Sequence, residues 1–313
     1  STYLIRQANF VACHNPSYVD KYNMVQELVD GGTFLLNCSW DMEGLEEHLP
    51  GQVKSYIANH NIKFYTIDGI KIGKEIGLGG RINTVLQSAF FKLAAIIPEE
   101  EAIDLMKAAA KATYGRKGDK IVQMNYDAID AGAKQVVEIA VPESWKDAAD
   151  EGLTTPHVGE GGRADVVDFV KNIQAKVNAQ EGNTLPVSAF NEYVDGSTPS
   201  GSSAYEKRGI AVDIPIWQPD NCIQCNRCAY VCPHAVIRPI ALTEEEAANA
   251  PEGMDMIDMI GMPNMKFSIA VSAYDCTGCG SCANVCPGKK GEKALVMGNM
   301  EANAGSQEFF DFG

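Results

Sequence analysis

The first 140 residues alternate short apolar runs with segments whose apolar side chains recur at helical spacing. Residues 10–13, 33–37 and 63–68 are predicted strands, and the second is apolar enough to be buried on both faces. The segments with helical periodicity and helix-end signals are residues 16–30, 45–59, 82–97, 98–114 and 118–138. This order predicts an α/β domain with a Rossmann-like open sheet.

The pattern changes after residue 142. Polar and glycine-rich residues typical of linkers occupy 143–147, 156–162 and 195–203, and one amphipathic helix is predicted at 164–177. Short apolar strands are predicted at residues 210–214, 235–241, 267–272 and 294–297. We therefore expect three domains, which are residues 1–142, a linker segment at 143–218, and an α+β module at 219–313.

Two cysteine runs dominate the module at 219–313. Each has the spacing C-x2-C-x2-C-x3-C followed by proline, which is typical of the loops that hold cubane [4Fe–4S] clusters in bacterial-type 2[4Fe–4S] ferredoxin domains. In such repeats the fourth cysteine of one run ligates the other cluster. The predicted ligands are Cys222, Cys225, Cys228 and Cys286 for cluster A, and Cys276, Cys279, Cys282 and Cys232 for cluster B.

Zinc and disulfides fit these cysteines less well. Zinc sites favour two C-x2-C pairs or mixtures of cysteine and histidine, and a repeated third cysteine does not suit one tetrahedral ion. Disulfides need an oxidising compartment, and no signal peptide is visible. Of the ten cysteines, Cys13 and Cys38 lie outside the runs in apolar segments, where we expect buried structural thiols.

Charge and hydropathy narrow the classes of partner. The 313-residue chain has a formal net charge of −15 and no basic stripe, which argues against nucleic-acid binding. No apolar run approaches the roughly 18 residues of a membrane span, so a soluble, cytoplasmic protein is expected. The negative charge favours either plain solubility or electrostatic steering toward a partner.

Several segments allow two interpretations. The glycine-rich run from Gly77 to Asn83 opens a helix, so it either holds an anion or forms a tight turn that packs helix on sheet. Residues 242–266 contain five methionines and predict either a helical flap or a docking surface. The residues 206–208 favour a solvated turn or a structural ion pair. An apolar shell around the clusters is expected from Ile223, Ala229, Val231, Val236, Val285 and Leu295.

Many short motifs together resemble the pyruvate:ferredoxin (flavodoxin) oxidoreductase family. They are TYLI (2–5), VACHNP (11–16), GGTFLLN (31–37), GLGGRIN (77–83), AFFKLA (89–94), KIVQMN (120–125), LPVSAF (185–190), YEKRG (205–209) and NCIQCNRCAYVCPH (221–234). The resemblance implies a gamma (2-oxoacid oxidoreductase) domain at 1–142, an EKR domain within 143–218 and a two-cluster ferredoxin domain at 219–313.

The resemblance also implies a reaction. Pyruvate, CoA and oxidised ferredoxin give acetyl-CoA, CO2 and reduced ferredoxin, with thiamine diphosphate as the decarboxylating cofactor. This chain would relay electrons through two [4Fe–4S] clusters to ferredoxin or flavodoxin. By resemblance, Asn83 and Asn125 contact CoA at a partial site, and no residue here is catalytic.

The chain starts inside a family motif, so a fragment or one subunit of a split enzyme is expected. The thiamine diphosphate site, a third [4Fe–4S] cluster and the other CoA contacts would belong to the remaining domains or subunits, and the complete enzyme would be a homodimer. A different class of function stays open, in which the α/β domain is an interface and the clusters are structural.

Overall fold

The computed structural model describes residues 5–149 and 162–313, which divide into two compact units. The first comprises residues 1–155 with 179–182, and the second comprises 156–178 with 183–313. The TYLI motif up to residue 4, and the predicted linker at 156–161, lie outside the described residues. Each unit has its own buried apolar core.

The first unit is built on a four-stranded sheet in the order β1-β2-β3-β4. Its strands are β1 (Ala8–Cys13), β2 (Leu28–Asn37), β3 (Lys63–Ile67) and β4 (Val137–Glu138). The first three are parallel and β4 is antiparallel to β3. Phe34, Leu35 and Leu36 of β2 are at most 1% exposed, because neighbouring strands and both layers of side chains cover them. An α/β unit with a mainly parallel sheet is confirmed.

Six helices accompany this sheet. They are α1 (Met42–His48), α2 (Gly51–Asn59), α3 (Gly69–Ile76), α4 (Asn83–Ala94), α5 (Glu99–Tyr114) and α6 (Asp119–Lys134). The break at Pro50, the acidic start of α5 and the apolar α4 follow the prediction, whereas α3 was missed. Two of the eight residues of α3 are glycines, Gly69 and Gly73, and glycine is typical of turns, so the sequence did not favour a helix there.

The helix predicted at residues 16–30 is wrong. Asn15 does cap a turn by accepting a hydrogen bond from the Ser17 N–H, but only a 3-10 helix, Pro16–Tyr18, follows. Residues 28–30 instead begin β2, and the N–H of Ala8 donates to the carbonyl of Glu27 at 2.6 Å. Pairing with β1 therefore takes the backbone groups that a longer helix would use, while Val19 and Val25 are still buried.

Trp145 closes one side of the first core. Composition places residues 143–147 in a linker, but Glu143–Asp147 form a 3-10 helix and Trp145 is 1% exposed. Its indole N–H donates to Glu46 at 2.5 Å, and its ring lies 6.2 Å from that of Phe64. A large side chain within a polar segment supplied the apolar contact that periodicity did not reveal.

The close contact between α4 and α6 depends on Gly132. A β-carbon at this position would collide with the carbonyl oxygen of Val85 and lie 2.9 Å from Ser88 Cβ. The Ser88 hydroxyl also donates to the carbonyl of Ile129 at 2.6 Å. These pairings make the two helices antiparallel and set the position at which Asn83 begins α4.

The second unit begins with the predicted amphipathic helix. It runs as α7 (Ala164–Phe169), a π-helical turn (Val170–Gln174) and α8 (Ala175–Asn178). Phe169 packs edge-on against Tyr193 at 4.9 Å, and a β-carbon on Gly162 would collide with the hydroxyl of Tyr205. The motif residue Tyr205 thus packs against the start of this helical segment.

The cysteine-containing module has two interleaved halves. Its elements are β5 (Asp213–Trp217), α9 (Arg227–Val231), β6 (Ile237–Thr243), α10 (Glu244–Ala248), β7 (Ile257–Asp258), β8 (Met265–Val271), α11 (Ser281–Val285), β9 (Leu295–Asn299) and α12 (Ser306–Phe312). The strand before each cysteine run pairs with the strand after the other run, β5 with β9 and β6 with β8. An internal repeat was predicted, and this exchange of strands is its structural form.

The methionine-rich insertion is mostly not a helical flap. After α10, which Thr243 and Glu246 begin with a capping box, the chain continues into β7 on the edge of β8. The side chain of Gln224 ties this insertion to the first cysteine run, because its amide donates to Asp258 O and accepts from Ile260 N–H. Met254 is 7% exposed and Met262 is 46% exposed, so only part of the methionine set is core.

The first prediction tests the α4–α6 contact. Gly132→Ala should destabilise the first unit by roughly 1–3 kcal/mol, because the new methyl group meets backbone that cannot move aside. The measurement is the denaturant midpoint together with hydrogen exchange of amides in α4 and α6. Gly115→Ala is the control, since its β-carbon would meet nothing within 4 Å, and it should be neutral or slightly stabilising. Equal stability of the two variants would contradict the assigned contact.

Candidate metal centres

The two cysteine loops have the same backbone geometry. Gln224 and Asn226 in the first loop have φ values of 55° and 58°, and Gly278 and Gly280 in the second have 67° and 73°. Left-handed residues at these two positions turn the chain tightly between successive cysteines. In each loop the N–H two residues after the first cysteine donates to that cysteine's sulfur at 3.4 Å. The backbone therefore directs each loop around its own thiols.

Short helices place the third and fourth cysteine of each run. Cys228 lies in α9 and Cys282 lies in α11. Cys232 and Cys286 are the residues that end these helices, both in extended conformation with ψ values of 113° and 118°. The helix thus separates the fourth cysteine from its own loop.

Two cavities collect the eight cysteines in sets of four. The first has an empty volume of about 350 Å³, and the second has about 360 Å³. The first is lined by Cys222, Cys225, Cys228 and Cys286, and the second by Cys232, Cys276, Cys279 and Cys282. Each cavity therefore receives three cysteines from one run and one from the other. Within the described ranges, no group of three or more His, Cys, Asp or Glu side chains is arranged to hold a single metal ion.

The apolar shell differs from the predicted one. Val236 and Leu295 are buried, but Ile223, Val231 and Val285 are 43%, 36% and 38% exposed. The buried layer beside the cysteines comes mainly from the strands, and besides Leu295 it includes Trp217, Ile237, Phe267, Ile269 and Val271. Val231 and Val285 lie in the five-residue helices α9 and α11, which are too short to bury much surface, and Ile223 lies in the first cysteine loop.

A third cavity lies in the first unit, at the carboxyl end of β1 and the amino end of α4. Its empty volume is about 1040 Å³. Phe10 and Phe90 form an edge-on aromatic pair at 5.1 Å on its wall. Its lining residues are Phe10, Ala12, His14, Gly80, Arg81, Ile82, Asn83, Leu86, Gln87 and Phe90. The cavity combines an apolar wall with a guanidinium group and amide side chains.

One part of the glycine-rich run from Gly77 to Asn83 forms a turn, and the other part lines the third cavity. Gly77, with φ of 90°, ends α3 by donating its N–H to carbonyls at the end of that helix. Gly80, Arg81 and Asn83 then line the third cavity. The two interpretations of this run are compatible, because its first half forms the turn and its second half faces the cavity.

The structure does not bring Asn125 to this cavity. Asn125 lies in α6, is 4% exposed, and donates its side-chain amide to the carbonyl of Ile121 at 2.8 Å. The pairing of Val85 with Gly132 and of Ser88 with Ile129 puts Asn125 and Asn83 toward opposite ends of the α4–α6 contact. At 1.5 Å per helical residue, they are separated by roughly 13 Å along the helix axes.

Family models match three consecutive parts of the chain. Residues 1–135 match the pyruvate ferredoxin/flavodoxin oxidoreductase model, and residues 160–211 match the EKR model, which is described as a domain of unknown function. Residues 221–290 match a 4Fe–4S dicluster domain. These assignments agree with the cysteine cavities of the second unit, and together they support two 4Fe–4S clusters.

Known relatives match along the entire chain. Pyruvate-flavodoxin oxidoreductase of Enterobacter agglomerans is 46% identical over 100% of this chain and 26% of its own length. Pyruvate:ferredoxin oxidoreductase of Moorella thermoacetica is 49% identical over 96% of this chain and 25% of its own. This chain matches a segment of pyruvate:ferredoxin (flavodoxin) oxidoreductase along its whole length. It spans about a quarter of the length of these curated relatives.

Two further comparisons concern another curated relative and a solved structure. Pyruvate dehydrogenase [NADP(+)] of Cryptosporidium parvum is 42% identical over 96% of this chain and 16% of its own length. A crystal structure of a pyruvate oxidoreductase subunit from Thermotoga maritima aligns with a TM-score of 0.35 and 16% identity, over 44% of this chain and 67% of that one. That structural likeness is too weak to carry an argument.

None of the described helices is long and apolar enough to cross a membrane.

The donor chemistry of the two cysteine cavities fits two iron–sulfur clusters. Burial raises the pKa of Cys228 and of Cys282 to about 11, and it also raises the pKa of Cys276. Hydrogen bonding with Ser281 lowers the pKa of Cys279. Buried thiols such as Cys276 and Cys282 would release their protons on binding a metal, as thiol ligands do.

Trp217 supplies a second test of the fit. It lines the first cavity and packs edge-on against Phe267 at 6.1 Å. Its indole nitrogen is buried and has no hydrogen-bond partner among the described residues. A buried donor without an acceptor is costly, and a cluster sulfur in the first cavity would provide the acceptor.

The second prediction follows from this donor. Trp217→Phe should lower the reduction potential of cluster A, because hydrogen bonds to cluster sulfur favour the reduced, more negative state. The measurement is an EPR-monitored redox titration of the protein with both clusters in place. Cluster B is the internal control and should keep its potential. An unchanged potential for cluster A would show that the indole N–H does not act on it.

Proposed function

We propose that this chain is the electron-relay and CoA-binding portion of a pyruvate:ferredoxin oxidoreductase. The sorting of eight cysteines into two cavities, each completed by the other run, is the observation that carries the proposal. The proposed ligands are Cys222, Cys225, Cys228 and Cys286 for cluster A, and Cys232, Cys276, Cys279 and Cys282 for cluster B. When bound, such clusters accept and release single electrons at low potential.

The chain's own residues hold and insulate these groups. Buried strand residues, with Trp217 and Phe267 as the largest, exclude water on the inner side of the cavities. Cys225 and Cys279, by contrast, are exposed. Each cavity therefore has a dry inner wall and one ligand near solvent, which suits electron exchange with an external carrier. We propose ferredoxin or flavodoxin as that carrier.

The third cavity is the proposed CoA site. CoA carries phosphate groups, amides and a purine, which respectively suit a guanidinium group, amide side chains and an aromatic wall. Arg81 and Asn83 are exposed at the amino end of α4, where the helix dipole also favours negative charge. Asn125 is proposed as a CoA contact by family resemblance alone, since it lies outside this cavity.

The whole enzyme's properties are proposals drawn from its relatives. They include the oxidation of pyruvate to acetyl-CoA and CO2, thiamine diphosphate and a third cluster in other domains, a homodimeric assembly and a cytoplasmic location. The Rossmann-like character of the sheet and the division at residues 142 and 218 belong to the same proposal. We keep one alternative, in which the clusters only stabilise the second unit and the first unit is an interface.

The third prediction separates relay from structural clusters. Anaerobically purified protein should contain about eight iron atoms per chain and, after dithionite, show two interacting S = 1/2 signals. Cys279→Ser should remove or rebuild cluster B and block electron transfer to ferredoxin, while leaving the first unit folded. Clusters that resist reduction would support the structural alternative, and a wild-type protein without iron and sulfide would end both.

The fourth prediction concerns CoA. Asn83→Ala should weaken CoA binding by roughly 1 kcal/mol, about fivefold in Kd, through the loss of one polar contact. Calorimetric titration of CoA measures this, with Thr84→Ala as the neighbouring control that does not line the cavity. Asn125→Ala, titrated in parallel, tests the contact proposed from resemblance. An Asn83→Ala protein with unchanged Kd would remove Asn83 from the site.

A further inference from the structure

The lysine of the Tyr205-Glu-Lys-Arg motif is not in a solvated turn. The Lys207 side chain is 14% exposed, and its ammonium group lies 2.6 Å from Asp275 Oδ2 and 3.2 Å from the Ser272 hydroxyl. Its backbone has φ of 30°, in the left-handed region that residues other than glycine rarely adopt. The chain thus takes an unfavourable turn at Lys207 that places a buried cation against the second cysteine run.

The two anchors of Lys207, Asp275 and Ser272, lie one and four residues before the first cysteine of that run. The Cys276 N–H donates to the carbonyl of Ser272 at 3.1 Å, and Asp275 is bonded covalently to Cys276. The Gly209 N–H donates to the carbonyl of Tyr274 at 2.6 Å, which adds a second tie from the same motif. Two points of the motif therefore fix the backbone on which Cys276 is mounted.

Helix α12 completes this network. The Ser272 hydroxyl, which is fully buried, lies 2.7 Å from Asp275 Oδ2 and 2.9 Å from Gln307 Oε1. The ring of Phe310 lies 5.7 Å from the Lys207 ammonium. The Lys207–Asp275 pair, with side chains 14% and 26% exposed, therefore shares contacts with the Ser272 hydroxyl and lies against α12.

The first cysteine run has no such pair. The residue that corresponds to Asp275, immediately before Cys222, is the neutral Asn221. Its side-chain amide only reaches the carbonyl of Lys293 at 3.4 Å. The ion pair therefore distinguishes two loops that otherwise share cysteine spacing and backbone geometry.

We infer that Lys207 is a positioning residue for cluster B, a role that the EKR domain supplies to the neighbouring cysteine loop. The ammonium group holds Asp275 and Ser272, and through them it holds Cys276 in the orientation its cavity requires. Lys207 does not line the second cavity, and it acts through the residues that precede Cys276. This inference rests on the proposed function, because it requires that the second cavity hold a cluster.

The test is Lys207→Met in the full 313-residue chain, purified anaerobically. Outer-sphere partners of metal ligands are typically worth 10–100-fold in metal affinity, so release of the cluster B half of the iron to a chelator should be about tenfold faster. The iron of cluster A should be released at the wild-type rate. The dithionite-reduced EPR spectrum should shift toward that of Cys279→Ser and not toward that of Cys225→Ser. Lys207→Arg, which keeps the charge, should restore part of the retention.

Lys266→Met is the matched control. Lys266 and Asp258 have the same 2.6 Å separation in the same unit, but their side chains are 42% and 90% exposed and form no part of the second loop. Such exposed pairs contribute little, so both clusters should be retained as in wild type.

Three results would overturn the inference. One is that Lys207→Met releases the iron of both clusters at the wild-type rate, and another is that it loses both clusters equally fast. If Lys207→Met does not fold, Asp275→Asn removes the ion pair with little change of shape, and wild-type retention of cluster B in that variant would be the third. A wild-type chain without iron and sulfide would instead refute the proposed function itself.

Discussion

Each cavity of the second unit is completed by a cysteine that belongs to the other run. This exchange depends on the strands, because β5 pairs with β9 and β6 pairs with β8, so that each loop is held between strands from both halves. The same exchange between the two halves therefore determines both which cysteines share a cavity and which strands pair. Neither half of the module can form a complete site without the other, and changes in strand register would separate Cys232 and Cys286 from their cavities.

The first unit contains none of these cysteines, and its cavity is formed in a different way. Its third cavity depends on helix packing, since Gly132 lets α6 approach α4 and so sets where Arg81 and Asn83 begin. Backbone conformation matters less there than in the cysteine loops, where residues with positive φ determine the direction of each thiol. The two units thus reach their sites by different physical means, side-chain packing in one and loop geometry in the other.

Local signals in the sequence predicted these features unequally. Cysteine spacing is a strict local pattern, so the membership of both cavities followed from it. The helix at residues 16–30 failed because a ladder bond from Ala8 to Glu27 outweighs a good capping residue. Trp145 was missed for a related reason, and the sequence left a solvated turn and an ion pair open for Lys207, since both residues lie in polar segments and contact residues distant in sequence. Asn125, a CoA contact proposed from family resemblance, is buried in α6 and does not line the third cavity, which its sequence motif alone does not reveal.

The near identity of the two loops raises the question of what distinguishes the two proposed clusters. Equal cysteine spacing, equal positive φ positions and equal N–H contacts to sulfur would give two clusters with similar potentials. Any difference in reduction potential between the two clusters must therefore come from groups outside the cysteine runs. The first cavity has the unpartnered indole of Trp217, and the second has the Lys207–Asp275 pair beside its first ligand. Because Trp217, Lys207 and Asp275 all lie outside the cysteine spacing pattern, the surroundings of each proposed cluster can change without altering that pattern.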